Sequence, residues 1–145
     1  MVVVLVHITV VSGREAMFEQ LARELAAVTL EREPGIRRYE YVRLSEPGSY
    51  QATLAFDDYD AFIEHQASQH HFVLAGAMKG VIATIRLERV DPVPGCSQLT
   101  LDPPAETAIE PTTLGSVDDS VLAARGKHYR ERYPLDKATW WGAMT

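Results

Sequence analysis

Three of the chain's five histidines, His65, His70 and His71, fall in the single stretch Ala61 to Phe72, AFIEHQASQHHF. Imidazole is the side chain whose ordinary pKa, about 6.5, lets it take or release a proton near neutral pH, so such a cluster suits general acid–base work. His65 follows Phe62 by three residues and Ala61 by four, which places it beside the apolar face of a helix and lets it point inward. On an ideal continuous helix His70 and His71 lie well away from His65 in angle. Neither forms the i,i+4 pair that a helical metal site favours, so no metal is expected. Plainer roles compete: His65 equally suits a hydrogen-bonded core position, and His70 with His71 suits a helix cap or a subunit contact. His71 has the weakest functional case. His7 stands in an otherwise apolar strand and must find a partner or face a cavity. Tyr39 and Tyr41 read first as sheet-packing residues with wet hydroxyls. Arg86 can hold an anionic oxygen, although an arginine on a strand is more often solvated or ion-paired.

These side chains need elements to hold them. The run MVVVLVHITVV is β-branched and too short to span a bilayer, and it lacks the basic lead of an export signal, so it reads as a strand. Both of its faces, Val2, Val4, Val6, Ile8, Val10 and Val3, Leu5, His7, Thr9, Val11, are largely apolar, which predicts cover on both sides. Ser12-Gly13-Arg14-Glu15 has the pattern of a capping box. Met17, Phe18, Leu21, Leu25 and Val28 then give a helical stripe that Pro34-Gly35 stops. IRRYEYVRL and YQATLAF, separated by Glu46-Pro47-Gly48-Ser49, read as an antiparallel hairpin. Asp57 or Asp58 caps the histidine helix, Ser68 caps a further short turn, and Gly80 precedes the last strand, VIATIRLERV. The order β-α-β-β-α-β is α+β and ferredoxin-like, with two helices over one face of a four-stranded antiparallel sheet.

Composition excludes several classes. A 145-residue chain with 46% hydrophobic residues fills one core, and a net charge of −6 argues against nucleic acid or anionic lipid as the main partner. One cysteine, Cys96, allows no intrachain disulfide, and a reducing cytoplasm is the expected compartment.

Residues 3 to 91 resemble the antibiotic biosynthesis monooxygenase family. The resemblance rests on Ser12-Gly13-Arg14-Glu15, on Pro34-Gly35 followed by Tyr39-Glu40, and on Ala61-Phe62-x-x-His65-x-x-Ser68-x-His70. It implies a dimeric α+β barrel, in which two ferredoxin-like units pair sheet to sheet and form a homodimer. It also implies a pocket between sheet and helices in each subunit, with His65 and His70 as catalytic candidates and His7, Tyr39, Phe62 and Arg86 as substrate contacts. The implied reaction is cofactor-independent: a histidine removes a phenolic or enolic proton, the anion reduces O₂, and a peroxide collapses to a quinone. The substrate is then a small phenolic or polycyclic aromatic. No phosphate-cradling glycine loop is present, and Val73-Leu74-Ala75-Gly76-Ala77 stands where haem-degrading relatives place an axial histidine, so no cofactor is expected. The alternative is a non-oxidative enzyme, a cyclase or decarboxylase, or a small-ligand-binding protein on the same scaffold.

The resemblance ends near residue 91, which divides the chain into a 1–91 unit and a 92–145 extension. PVPGCSQLTLDPPAETAIEPTTLG predicts an extended linker. Ser116-Val117-Asp118-Asp119 then opens a helix with Leu122, Arg125, Tyr129 and Tyr133 on one side until Pro134. Trp140-Trp141 predict a docked tail, on the parent subunit or across the dimer.

Overall fold

The computed structural model describes residues 1–93, 95–96 and 117–135, and the backbone of 140–144. The elements are β1 (Val2–Val10), α1 (Glu15–Arg32), β2 (Ile36–Arg43), β3 (Ser49–Phe56), α2 (Tyr59–Ala67), α3 (Gln69–Ala77), β4 (Ile82–Val90), α4 (Asp119–Arg132) and β5 (Trp140–Met144). The antiparallel sheet runs β2-β3-β1-β4-β5. Its first four strands with their helices form the expected ferredoxin-like α+β unit.

Strand alternation decides which side chains meet the helices. Val2, Val4, Val6, Ile8 and Val10 of β1 enter the core together with Tyr50, Ala52, Leu54 and Phe56 of β3, their direct or near partners across the ladder. The odd-numbered residues of β1 take the outer face. Two of the outer-face positions, Val3 and its partner Ala55, are 4% and 0% exposed within the single chain. The second apolar face is therefore already sheltered there, which removes part of the reason for expecting a partner subunit. Among the described residues, Val11, Val42 and Leu44 are apolar side chains left exposed near that face.

The capping box at Ser12 does not form. Gly13, at φ +86°, turns the chain sharply, and the Arg14 N–H closes that turn on the Val11 carbonyl at 2.9 Å. Helix α1 then begins at Glu15, with Arg14 as N-cap and no side-chain cap bond. Gly35 does more than stop α1. A Cβ there would lie 2.6 Å from the Ala61 Cβ, so only hydrogen lets the start of β2 run this close to α2.

Ser68 breaks the histidine helix and restarts it. As C-cap of α2 its hydroxyl donates to the His65 carbonyl at 2.8 Å, and as N-cap of α3 it accepts from the His71 N–H at 3.2 Å. The expected short turn is thus a second helix of nine residues.

Helix α4 packs on α2. Tyr133 is fully buried against Phe62, ring centroids 5.8 Å apart, and burial of one such aromatic contributes roughly 1.5–3 kcal/mol. Tyr59 Oη donates to the Tyr133 carbonyl at 2.9 Å, and Arg130 pairs with Asp60 at 2.8 Å. Asp118 caps α4 through the Ser120 N–H. The backbone of β5 adds to β4 in the same chain. The linker expectation falls mostly outside the described residues, as does the expectation for the Trp140 and Trp141 side chains.

Candidate active site

A cavity of about 850 Å³ lies between the sheet and the helices, a size typical of small-molecule sites. Its floor is aliphatic, from Val6, Ile8, Leu54, Ile85 and Leu87 on the strands, with Leu25 of α1 and Met78 opposite. Polar groups converge from several elements: Tyr39 and Tyr41 from β2, His65 and Gln66 from α2, His71 from α3, Lys79 just beyond it, and Arg125 and Tyr129 from α4.

His65 sits in the last turn of α2 and is 1% exposed. Its ring packs against Tyr39, Phe56 and His71 at centroid distances of 5.5, 5.4 and 4.9 Å. Its Nδ1 meets Glu33 Oε1 and Oε2 at 3.0 and 3.1 Å, and His70 Nε2 also contacts Glu33 Oε1. Burial pushes the Glu33 carboxyl up, but hydrogen bonds and charge from the two imidazoles outweigh it and hold the group below the usual range. A carboxylate ionised in this way can only accept, so His65 Nδ1 and His70 Nε2 carry the protons in these contacts. In the neutral form of the ring, the form a base requires, His65 Nε2 is then the nitrogen that carries the lone pair.

The two tyrosines remain protonated. Tyr39 Oη and Tyr41 Oη bond at 2.9 Å. Burial first, then the charge of Tyr41 and the hydrogen bond to it, push Tyr39 well above the usual phenol range. Burial raises Tyr41 to about 12. Both keep their protons at neutral pH; one proton is spent within the pair, and the other hydroxyl is left to donate to negative charge on a ligand oxygen.

His71 lies half-buried on the cavity wall, and its Nδ1 is buried without a hydrogen-bond partner among the described residues. Desolvation, reinforced by the charges of His65, Arg125 and His70, drives its pKa well below the ordinary value. It is a neutral ring at physiological pH.

The expected site residues thus separate. His65 and Tyr39 border the cavity. His70 is buried, does not border the cavity, and contacts Glu33. Phe62 is a core residue, 0% exposed between Phe56 and Tyr133. His7 and Arg86 lie elsewhere: they face each other across β1 and β4 on the outer side of the sheet, where His7 Nε2 contacts Glu88 at 3.1 Å, the partner that was one of its two expected outcomes. His7 is an odd-numbered residue of a strand whose even-numbered residues face the helices, so it points away from the cavity. His71, ranked last on sequence grounds, lines the wall that His70 does not.

Glu33 was missed. A carboxylate at the C-terminal end of a helix opposes the negative pole of the helix dipole, and that misplacement was a readable sign that Glu33 serves a partner. Its oxygen and the facing nitrogens of His65 and His70 lie within 4.8 Å of one another. Two imidazoles and a carboxylate are a donor set that can hold a divalent first-row metal. The break at Ser68 and the arrival of a ligand from α1 therefore undo the spacing argument against one.

The family model for antibiotic biosynthesis monooxygenases matches residues 1–73. The chain belongs to this family. A Caulobacter crescentus protein assigned to the family superposes with a TM-score of 0.61 at 26% identity, over 63% of this chain and 89% of that one. SnoaB of Streptomyces nogalater, a cofactor-independent oxygenase solved as a variant, gives 0.56 at 25% identity, over 63% of this chain and 91% of its own. A Deinococcus radiodurans structure at 21% identity shares the fold, with a TM-score of 0.60 over 67% of this chain and 97% of that one. No curated protein matches the sequence. Among the described residues no helix is long and apolar enough to cross a membrane.

Proposed function

We propose that this chain is a cofactor-independent monooxygenase that oxidises a phenolic or polycyclic aromatic small molecule with O₂. The observation that carries this reading is the Glu33–His65 pair at the edge of an aliphatic cavity into which two neutral phenols project. Glu33 fixes the imidazole by its Nδ1–H, and His65 Nε2 takes the phenolic proton. The hydroxyl of the Tyr39–Tyr41 pair whose proton is not spent on the other donates to the oxygen that gains charge. The anion is electron-rich enough to reduce O₂. Dioxygen adds to a ring carbon bearing hydrogen, and loss of water from the resulting peroxide leaves a quinone, so one oxygen atom enters the product and the other leaves as water. The relationship to a cofactor-independent oxygenase supports the same chemistry.

The test is oxygen dependence. Oxygen uptake should match quinone formation from a naphthol-type substrate, with one labelled atom from labelled dioxygen retained. Turnover that continues unchanged under strict anaerobiosis would assign the site to non-oxidative chemistry, a cyclisation or decarboxylation that the same base can start.

The 1–91 unit carries this chemistry, and α4 of the 92–145 extension completes its surroundings, in a cytoplasmic homodimer. Val42 and Leu44, 47% and 44% exposed, are the apolar surface offered for sheet-to-sheet pairing. Light scattering is expected to give twice 16.1 kDa, and a single 16.1 kDa species at micromolar concentration would refute the dimer.

A further inference from the structure

Helix α4 lies outside the segment matched by the family model, yet it supplies a cation to the cavity. Arg125 is partly buried at the wall, and its guanidinium lies 4.7 Å from the Phe72 ring centroid and 5.3 Å from that of Tyr129. Nη2 donates to the Gln66 carbonyl at 3.1 Å and to Tyr129 Oη at 3.2 Å, while Nε is buried with no hydrogen-bond partner. Among the described residues no carboxylate stands within 4.0 Å of this guanidinium. Arg37, comparably placed at the protein surface, has Asp57 at 2.6 Å. A guanidinium set between aromatic faces, with free donors and no counter-ion, is a costly arrangement unless an anion completes it.

We infer that Arg125 is a specificity residue that binds a carboxylate on the aromatic substrate, so the C-terminal helix sets which substrates enter. This rests on the proposed reading of the cavity as a substrate site. The chemistry is that of a planar fork matched to a planar acid, anchored at the α4 end of the cavity while the phenol lies towards His65 and the tyrosines.

The experiment compares binding of 2-naphthoate and 2-naphthamide by calorimetry under nitrogen, so that neither oxygen nor turnover enters. The wild-type chain is expected to bind the carboxylate about tenfold more tightly than the isosteric amide, a single good charge-assisted contact. Arg125→Met should abolish that preference while leaving amide binding close to its original strength. Arg125→Lys, which keeps the charge and most of the stem against Phe72, should retain a reduced preference and covers the case in which the methionine variant unfolds. Equal binding of the two probes by the wild-type chain, absence of carboxylate binding, or a preference that persists in Arg125→Met would overturn the assignment. A carboxylate preference without oxygen uptake would leave this inference standing while the monooxygenase reading fell.

Discussion

A His65→Gln chain is expected to stay folded and to lose about 10²–10⁴-fold in turnover, the usual cost of removing a general base and equivalent to roughly 2.7–5.4 kcal/mol of barrier. Glutamine keeps much of the volume and can still bond to Glu33, so the Tyr39, Phe56 and His71 packing around position 65 survives. What disappears is the Nε2 lone pair. The loss should fall on kcat more than on KM, because the substrate's aromatic body is held by the aliphatic floor. His70→Gln is the matched comparison. His70 contacts the carboxylate of Glu33 and does not border the cavity, so its loss should be the smaller of the two. Full turnover by His65→Gln on an authentic substrate would defeat the assignment of the base. A His65→Gln protein that cannot fold would mark His65 as a core residue instead.

The order of strands and helices was legible because each segment carries its own period and its own breakers. The β-branched run MVVVLVHITVV, the three- and four-residue spacing after Glu15 and the Pro34-Gly35 stop are local signals, and the sheet follows from their order. His65 and Tyr39 were legible for the same reason, since each lies on the buried side of its own element. His7 and Arg86 are legible in position, since alternation puts His7 on the face away from Val4 and Val6, while the Glu88 contact that satisfies the ring lies 81 positions away. Glu33 and Arg125 were hidden by sequence distance. Glu33 meets His65 across 32 positions and Arg125 meets Gln66 across 59, and no local pattern encodes such pairs. His71 was misjudged through a helix drawn as continuous. Ser68 is both a C-cap and an N-cap, and the bend it makes brings the His71 ring to 4.9 Å from His65.

Stability towards acid is expected to fall in two separate windows. His71 has a folded-state pKa depressed well below 6.5 by desolvation and by neighbouring positive charge, while in the unfolded chain it titrates near the ordinary value. Below pH 6.5 the unfolded state binds a proton that the folded state refuses. Stability is therefore full above that pH and declines as pH falls, by up to about 1.4 kcal/mol per pH unit, until the folded pKa is reached. Glu33 acts lower. Its carboxyl is also depressed in the fold, because the bonds from His65 and His70 outweigh the burial that opposes them, so its contribution is present above about 4.5 and disappears as pH falls through the folded value. Urea unfolding between pH 7.5 and 3.5 separates the two. His71→Gln should reduce the slope between pH 6.5 and 4.5 and leave the lower window in place, whereas Glu33→Gln should reduce the slope only below about 4.5. A His71→Gln chain with the wild-type slope in the upper window would mean that the ring at position 71 protonates in the fold as freely as in water. The charge beside Arg125 would then be shared with a second cation, and carboxylate binding there would strengthen as the pH fell.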